Sequence, residues 1–289
     1  MNAVIPTLAL PAAAKPWKPR ASSLGYYMKC LWRAAQDRLI HEGKLDPRMK
    51  EPQDDTSYAD FGTVIHFALQ DGTRCTFPGP AASHAPTQAE IQSASKLFAS
   101  DLELMNQRAR QCAALAMTML PKSPDGLPWR AEDELENDIL TGHTDFFSQD
   151  GSTLGDLKST SKPPPKGKVK TEHLVQVCGY KLLRPTAKRA FVLYVDSMRA
   201  AWATLIWIDF TKPAMQFYLE RVHEFAAMLM TDKLLDVAYP NLGDHCQSTW
   251  CPYPASCYKA YMPGPGSEYQ AAVARRPVGQ MAFAPLKIG

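Results

Sequence analysis

The sequence has no run of about 20 apolar residues, so no membrane-spanning helix is expected. Its opening segment, Ala3 to Ala14, is only mildly apolar, is interrupted by Pro6 and Pro11, and lacks a basic stretch before it, which argues against a secretory signal. A large charge excess is also missing. Lys and Arg number 32 against 29 Asp and Glu, a formal net charge of +3, so the molecule as a whole is no polycation. The cysteines, seven in all, are odd in number and come without a secretory leader, which disfavours a disulfide framework. No internal repeat and no helicase motif are present, so any motor acting with this chain would be a separate protein. What is present is 289 residues with 45% hydrophobic content, enough for a substantial core in one large or two small domains.

The most informative stretch is the pair of segments Gly142 to Phe147 and Gly155 to Thr160, read as two strands joined by Gln149-Asp150-Gly151-Ser152. Each carries a carboxylate, Asp145 and Asp156, and period-two geometry puts Lys158 on the same face as Asp156. Hydrolysis of a phosphodiester needs an activated water and neutralisation of developing negative charge. Hard divalent cations held by oxygen ligands supply both, and a lysine adds a compact positive charge. An Asp-x-Lys triplet also occurs in ordinary surface hairpins. Phe146, Phe147, Leu154 and Leu157 mark these strands as packed instead, and charged groups among packed strands need a partner or an ion.

Glu172 to Leu183 reads as a helix with Leu174, Cys178 and Leu182 as its apolar stripe. Gln176 and Tyr180, four apart, share another face, either a solvated edge or a wall beside the carboxylates. The runs Ala190 to Val195 and Ala203 to Ile208 read as a hairpin about Asp196 to Arg199, followed by a helix from Thr211 to Thr231. Gln88 to Met117 has helical spacing and is expected to pack on the sheet as one or two helices. Trp129 to Asn137 reads as a further strand, with Glu132, Glu134 and Glu136 on one face, more simply an exposed edge than part of a metal site. The whole is an α/β chain with a mixed sheet.

The ordered set Gly62-x-x-x-His66, Gly142-x-x-Asp145, Asp156-x-Lys158 and Gln176-x-x-x-Tyr180 resembles the RecB-like branch of the PD-(D/E)XK nuclease superfamily, over about Ser22 to Tyr258. The resemblance implies a restriction-endonuclease-like core, a central mixed sheet flanked by helices. It implies Mg²⁺ or Mn²⁺ on His66, Asp145 and Asp156, a catalytic Lys158, and Gln176 and Tyr180 on the helix beside the site. On its own, His66 in the apolar segment Phe61 to Leu69 would read as a core or edge histidine; the resemblance makes it a ligand. The acid linked to Lys158 is Asp156 where Glu is commoner, and the superfamily's pattern allows either.

Cys246, Cys251 and Cys257 cluster near the C-terminal end in a segment with Trp250, Pro252, Pro254 and Tyr258, and such a trio calls for a further ligand. Cys30 is the leading candidate for the fourth. One early cysteine with a late trio resembles the iron–sulfur members of the family, CRISPR-associated or helicase-linked. These imply a [4Fe–4S] cluster joining the two ends of the domain. Structural Zn²⁺, with Cys30 or His245 completing the set, is the rival, and free thiols are a third reading. Cys178 is expected to pack; Cys75 and Cys112 show no partner in the sequence.

Positive charge is concentrated after the second acid, where Lys162, Lys166, Lys168 and Lys170 surround Pro163-Pro164-Pro165. This stiff basic segment suits a nucleic-acid backbone, or serves only to keep a loop solvated. Residues 1–20 and 262–289, rich in Pro, Ala and Gly, are expected to be flexible tails around a single domain over 21–261, with a helical insertion at about 87–117 and the cysteine cluster at 246–257. The expectation is a cytoplasmic, metal-dependent DNA nuclease of a bacterial or phage-infected cell. By this reading it is an exonuclease acting on single strands or duplex ends in recombination, repair or CRISPR/phage DNA processing. The alternative is a non-cutting or partner-dependent DNA-binding module of a recombination or CRISPR-adaptation complex. A zinc-stapled α/β protein of unrelated chemistry is a third possibility.

Overall fold

The apolar run at 190–195 becomes the centre of the molecule. The structure is a computed structural model and describes residues 15–50, 56–72, 85–130, 133–165, 167–238 and 251–253. Among these the helices are α1 Leu24–Lys29, α2 Leu31–His41, α3 Ser57–Gly72, α4 Gln88–Ser95, α5 Leu102–Met119, α6 Thr171–Leu183, α7 Pro213–Leu229 and α8 Lys233–Val237. The strands are β1 Asp133–Glu136, β2 Thr141–Thr144, β3 Phe146–Phe147, β4 Thr153–Thr160, β5 Arg189–Asp196 and β6 Ala203–Asp209. The main sheet runs β3-β4-β5-β6. β4 and β5 are parallel, joined through α6, and both outer pairs are antiparallel. This is the mixed α/β sheet flanked by helices of a restriction-endonuclease-like core. β1 and β2 form a separate antiparallel pair.

β5 reads as continuously apolar because it is covered on both faces, and every residue from Ala190 to Val195 is fully buried. Strand parity then sorts its side chains. Ala190, Val192 and Tyr194 pack with residues of α1, α2, α6, α7 and α8, whereas Phe191, Leu193 and Val195 pack with α3, α4 and α5. The same parity acts on β4. Leu157 joins the α3/α5 side, so Asp156 and Lys158 face the other way, toward α6.

The region at 88–117 folds as two helices. Thr87 and Glu90 form a capping box at the start of α4, and Asp101 caps α5 by accepting from Leu104 N–H at 3.0 Å. Between them Ala99 and Ser100 adopt positive φ, which breaks the helix. As expected, α5 packs on the sheet, against β5 and β6.

Several boundaries differ from the sequence expectation. The segment 142–147 is not one strand: the chain leaves the small sheet at Asp145 and enters the main one at Phe146. Of the strand expected over 129–137, the described part pairs over Asp133–Glu136, with Arg130 making an isolated bridge to Phe147; Glu134 and Glu136 are exposed there, and Glu132 lies outside the described residues. Of the N-terminal segment expected as tail, residues 15–20 pack on the domain. Lys18 reaches Glu136 at 2.7 Å, Pro19 O accepts from Thr141 N–H at 3.1 Å, and Trp17 stands 6.2 Å from Tyr27. Residues 1–14 and 262–289 lie outside the described residues. Cys178 packs as expected, and the buried Cys112 donates its S–H to Asp196 O at 3.2 Å, a partner its sequence did not suggest.

Candidate active site

The four sequence motifs meet at the middle of β4. β3 is only two residues long and its pairing ends at Phe146 and Gly155. The ladder donor at Leu157, beyond that end, needs another acceptor. The Asp145 carboxylate takes this place, with Oδ2 accepting from Leu157 N–H at 2.6 Å. The break in the strand at Asp145 thus turns its side chain into the site.

The motif glycines have steric reasons. A Cβ on Gly62 would stand 2.8 Å from Ser159 Oγ, so glycine lets α3 lie against β4. One turn later His66 reaches the strand, its Nε2 3.1 Å from Leu157 O and its Nδ1 3.5 Å from Asp145 Oδ1. A Cβ on Gly142 would meet Leu183, Ala21 and Tyr180 at 3.1–3.2 Å, and glycine there lets β2 approach α6.

On the α6 side, Lys158 Nζ donates to Asp156 Oδ1 at 3.1 Å and lies 2.9 Å from Oδ2. Gln176 Nε2 donates to Asp156 Oδ1 at 3.2 Å and to the Tyr180 hydroxyl at 2.5 Å. Asp156 is 1% exposed, and Gln176 and Tyr180 are buried. The i, i+4 pair is therefore a wall of the site rather than a solvated helix edge.

Burial and charge pull these groups apart electrostatically. Burial dominates at Asp156 and, with the nearby Asp145 charge, raises it to about 6 despite Lys158. Asp145 is less enclosed, and His66, Lys158 and the Leu157 N–H outweigh its burial and hold it below the ordinary carboxylate value. Burial opposes the charged forms of His66 and Lys158, but the two carboxylates more than compensate and raise both. Both ring nitrogens of His66 face acceptors, which suits an imidazolium.

Among the described residues no three His, Cys, Asp or Glu side chains form a ready metal cage. The donors are instead closed on one another. Their chemistry nevertheless fits a hard cation. Asp156 Oδ2 is buried and accepts no hydrogen bond, although Nζ is close. Asp145 Oδ1 and Leu157 O stand beside the two ring nitrogens of His66 at the adjoining residue of the same strand.

Two participants were not singled out from the sequence. Tyr194 is the register partner of Lys158 across the parallel pair, and its hydroxyl accepts from Lys170 N–H at 3.2 Å. It stands 2.8 Å from His173 Nδ1. Burial, together with Lys158, Lys170 and Lys29, lowers His173 to about 3, so its ring is neutral and shares one proton-bearing contact with the Tyr194 hydroxyl. The signals were present: a tyrosine amid an aliphatic strand, and a histidine three residues before Gln176 on one helix face.

The basic segment returns to this site. Lys162 and Lys168 are exposed, and Lys170 is partly buried with Nζ 3.4 Å from Thr160 Oγ1. Lys166 lies outside the described residues, as do Cys246, Cys257, His245 and Cys75. Cys30 precedes α2 and is buried, and Cys251 is buried against Trp32 and Ile40 of that helix. Tyr253 secures the same segment by donating to Asp37 Oδ1 at 2.7 Å.

The model of the PD-(D/E)XK nuclease superfamily matches residues 21–258, and the chain belongs to that superfamily. Its structural neighbours include a phage-related exonuclease from Haemophilus somnus, at 16% identity and a TM-score of 0.34, with 76% of this chain and 96% of that one covered. Another is an alkaline exonuclease from Laribacter hongkongensis, at 13% identity and a TM-score of 0.30, covering 62% and 94%. A search of curated proteins returns no match. No helix of the described residues is long and apolar enough to cross a membrane.

Proposed function

We propose that this chain is a metal-dependent deoxyribonuclease of RecB-like type. The observation that carries the reading is the convergence of Asp145, Asp156, Lys158 and His66 on the middle of β4, braced by Gln176. Asp145, Asp156 and His66, with the Leu157 carbonyl, would hold Mg²⁺ or Mn²⁺. When bound, the ion supplies charge neutralisation at the phosphate and lowers the pKa of the attacking water. Lys158, held by Asp156, places its ammonium where negative charge develops on the phosphate. Gln176 fixes the Asp156 carboxylate, and the Lys162, Lys168 and Lys170 segment follows the strand backbone. End-directed cutting in recombination, repair or CRISPR/phage DNA processing is the mode this reading favours.

The same proposal includes a [4Fe–4S] cluster on Cys30, Cys246, Cys251 and Cys257, with structural Zn²⁺ as its rival. Its support is that two of these cysteines, from opposite ends of the chain, are buried at one helix. Iron, sulfide and zinc content of anaerobically purified protein, with Cys30→Ser beside it, separates the two metals.

The decisive assay incubates end-labelled linear and circular DNA with Mg²⁺, Mn²⁺ or EDTA, with Asp156→Ala alongside. Metal-dependent cleavage lost in the variant supports the nuclease, and circular DNA separates internal from end cutting. Binding without cleavage under every metal condition moves the reading to a partner-dependent DNA-binding module.

A further inference from the structure

One exposed aromatic stands on the helix that packs against α6. Tyr26, on α1, is 39% exposed, while its chain neighbours Gly25 and Tyr27 are buried. The close approach behind it is steric: a Cβ on Gly25 would stand 2.8 Å from Glu172 Cβ and 2.9 Å from its Cα. Glycine at 25 therefore lets α1 press on the first turn of α6, the helix that carries His173 and Gln176. This contact sets Tyr26 beside the active-site wall. Its phenol lies within electrostatic reach of Lys158, and Lys29, one turn on, within reach of His173. The Arg33 guanidinium carbon lies 4.7 Å from the Tyr26 ring centroid.

Tyr27, the next residue, is buried at 4% exposure, whereas Tyr26 leaves a ring face open on the side of α1 that packs on α6. An open ring backed by a guanidinium, with Lys29 exposed beside it, has the chemistry of a base-stacking surface. Stacking tolerates any base, and the cations neutralise the phosphates on either side. We propose that Tyr26, backed by Arg33, is a stacking platform for an unpaired base of the DNA strand entering the site. The proposal rests on the nuclease reading and names the part of the substrate that α1 receives.

The test measures binding of the full chain, in EDTA, to a labelled single-stranded oligonucleotide and to the same strand made abasic. Tyr26→Leu should weaken binding of the normal strand by about tenfold, and Tyr26→Phe should leave it nearly unchanged. On the abasic strand wild type and Tyr26→Leu should bind alike. Equal loss on both strands, or no loss on either, overturns the platform; thermal melting of Tyr26→Leu matching wild type shows that the fold is intact. Cleavage is followed in parallel with Mg²⁺ and Mn²⁺. A wild type that cuts while Tyr26→Leu binds normally overturns the platform and keeps the nuclease. Base-dependent binding without cutting keeps the platform and removes the nuclease, and a wild type that binds no DNA overturns both.

Discussion

The side-chain amide of Gln176 bridges Asp156 Oδ1, at 3.2 Å, and the Tyr180 hydroxyl, at 2.5 Å, using both of its N–H donors. The helix α6 thus holds the carboxylate that β4 presents, and the Gln-x-x-x-Tyr motif acts as one unit. Gln176→Ala removes the brace and leaves Asp156 Oδ1 with Lys158 alone. Cleavage at limiting Mg²⁺ should fall on the order of 10- to 100-fold, recovering in part at high Mg²⁺. Tyr180→Phe frees one amide proton and leaves the Asp156 contact, so its loss should be smaller. Equal losses in the two variants, unresponsive to metal, would show that α6 contributes only packing.

The pH behaviour follows from Asp156, raised by burial from 3.8 to about 6. Its folded value exceeds its unfolded one, so the metal-free folded state binds the extra proton between them. That contribution to stability is complete below about pH 4 and is lost as pH rises through about 6. A divalent cation requires the ionised carboxylate and opposes this trend. The rise in melting temperature on adding Mn²⁺ should therefore be large well above pH 6 and shrink as pH falls through it. EDTA should abolish the rise, as should Asp156→Asn at every pH. A metal-induced shift of the same size on both sides of that pH in wild type would separate Asp156 from the metal.

Gly155 makes the packing argument testable away from the chemistry. It pairs with Phe146 on one side and with Phe191 on the other, and a Cβ there would overlap the Phe191 ring. Phe191 is fully buried, with Trp129 5.4 Å and Phe146 6.0 Å from its ring centroid, so it has no room to yield. Gly155→Ala should cost about 1–3 kcal/mol in urea unfolding, and Gly155→Ala with Phe191→Leu should recover part of that loss. A strictly additive double variant would place the cost in backbone conformation instead of overlap.

How much of this was legible in the sequence depends on the range of the forces involved. β5 and α6 were readable because their apolar patterns are local and their burial follows directly from them. Asp156 and Lys158 were readable as partners because strand parity alone puts them together. The break at Asp145 was not, because it depends on where the pairing of β3 with β4 ends, and that is a property of the sheet. His173 and Tyr194 were missed for the same reason: their contact crosses from a helix to a strand whose register no local pattern supplies. Lys15 to Arg20 were expected as tail on composition, yet Pro19 and Lys18 find acceptors and donors on the β1–β2 unit far along the chain.

The Asp156–Lys158 pair gives a last test, because an ion pair with a fully buried carboxylate and a partly exposed lysine is weak as a source of stability but costly to halve on the lysine side. Lys158→Met keeps an unbranched apolar stem and removes the cation, leaving a carboxylate that is 1% exposed with Gln176 as its remaining donor. At neutral pH this should destabilise the protein by about 3 kcal/mol and abolish cleavage. Burial then acts on Asp156 without its opposing charge, so its proton affinity rises further above the unfolded value. The deficit should accordingly shrink as pH falls, since protonation neutralises the stranded acid. Asp156→Asn added to Lys158→Met should restore stability at neutral pH while leaving the enzyme inactive. Urea unfolding across pH for the three variants measures this. A Lys158→Met deficit that is independent of pH, or a double variant less stable than Lys158→Met alone, would mean that the carboxylate is not stranded and that the lysine contributes through its packing.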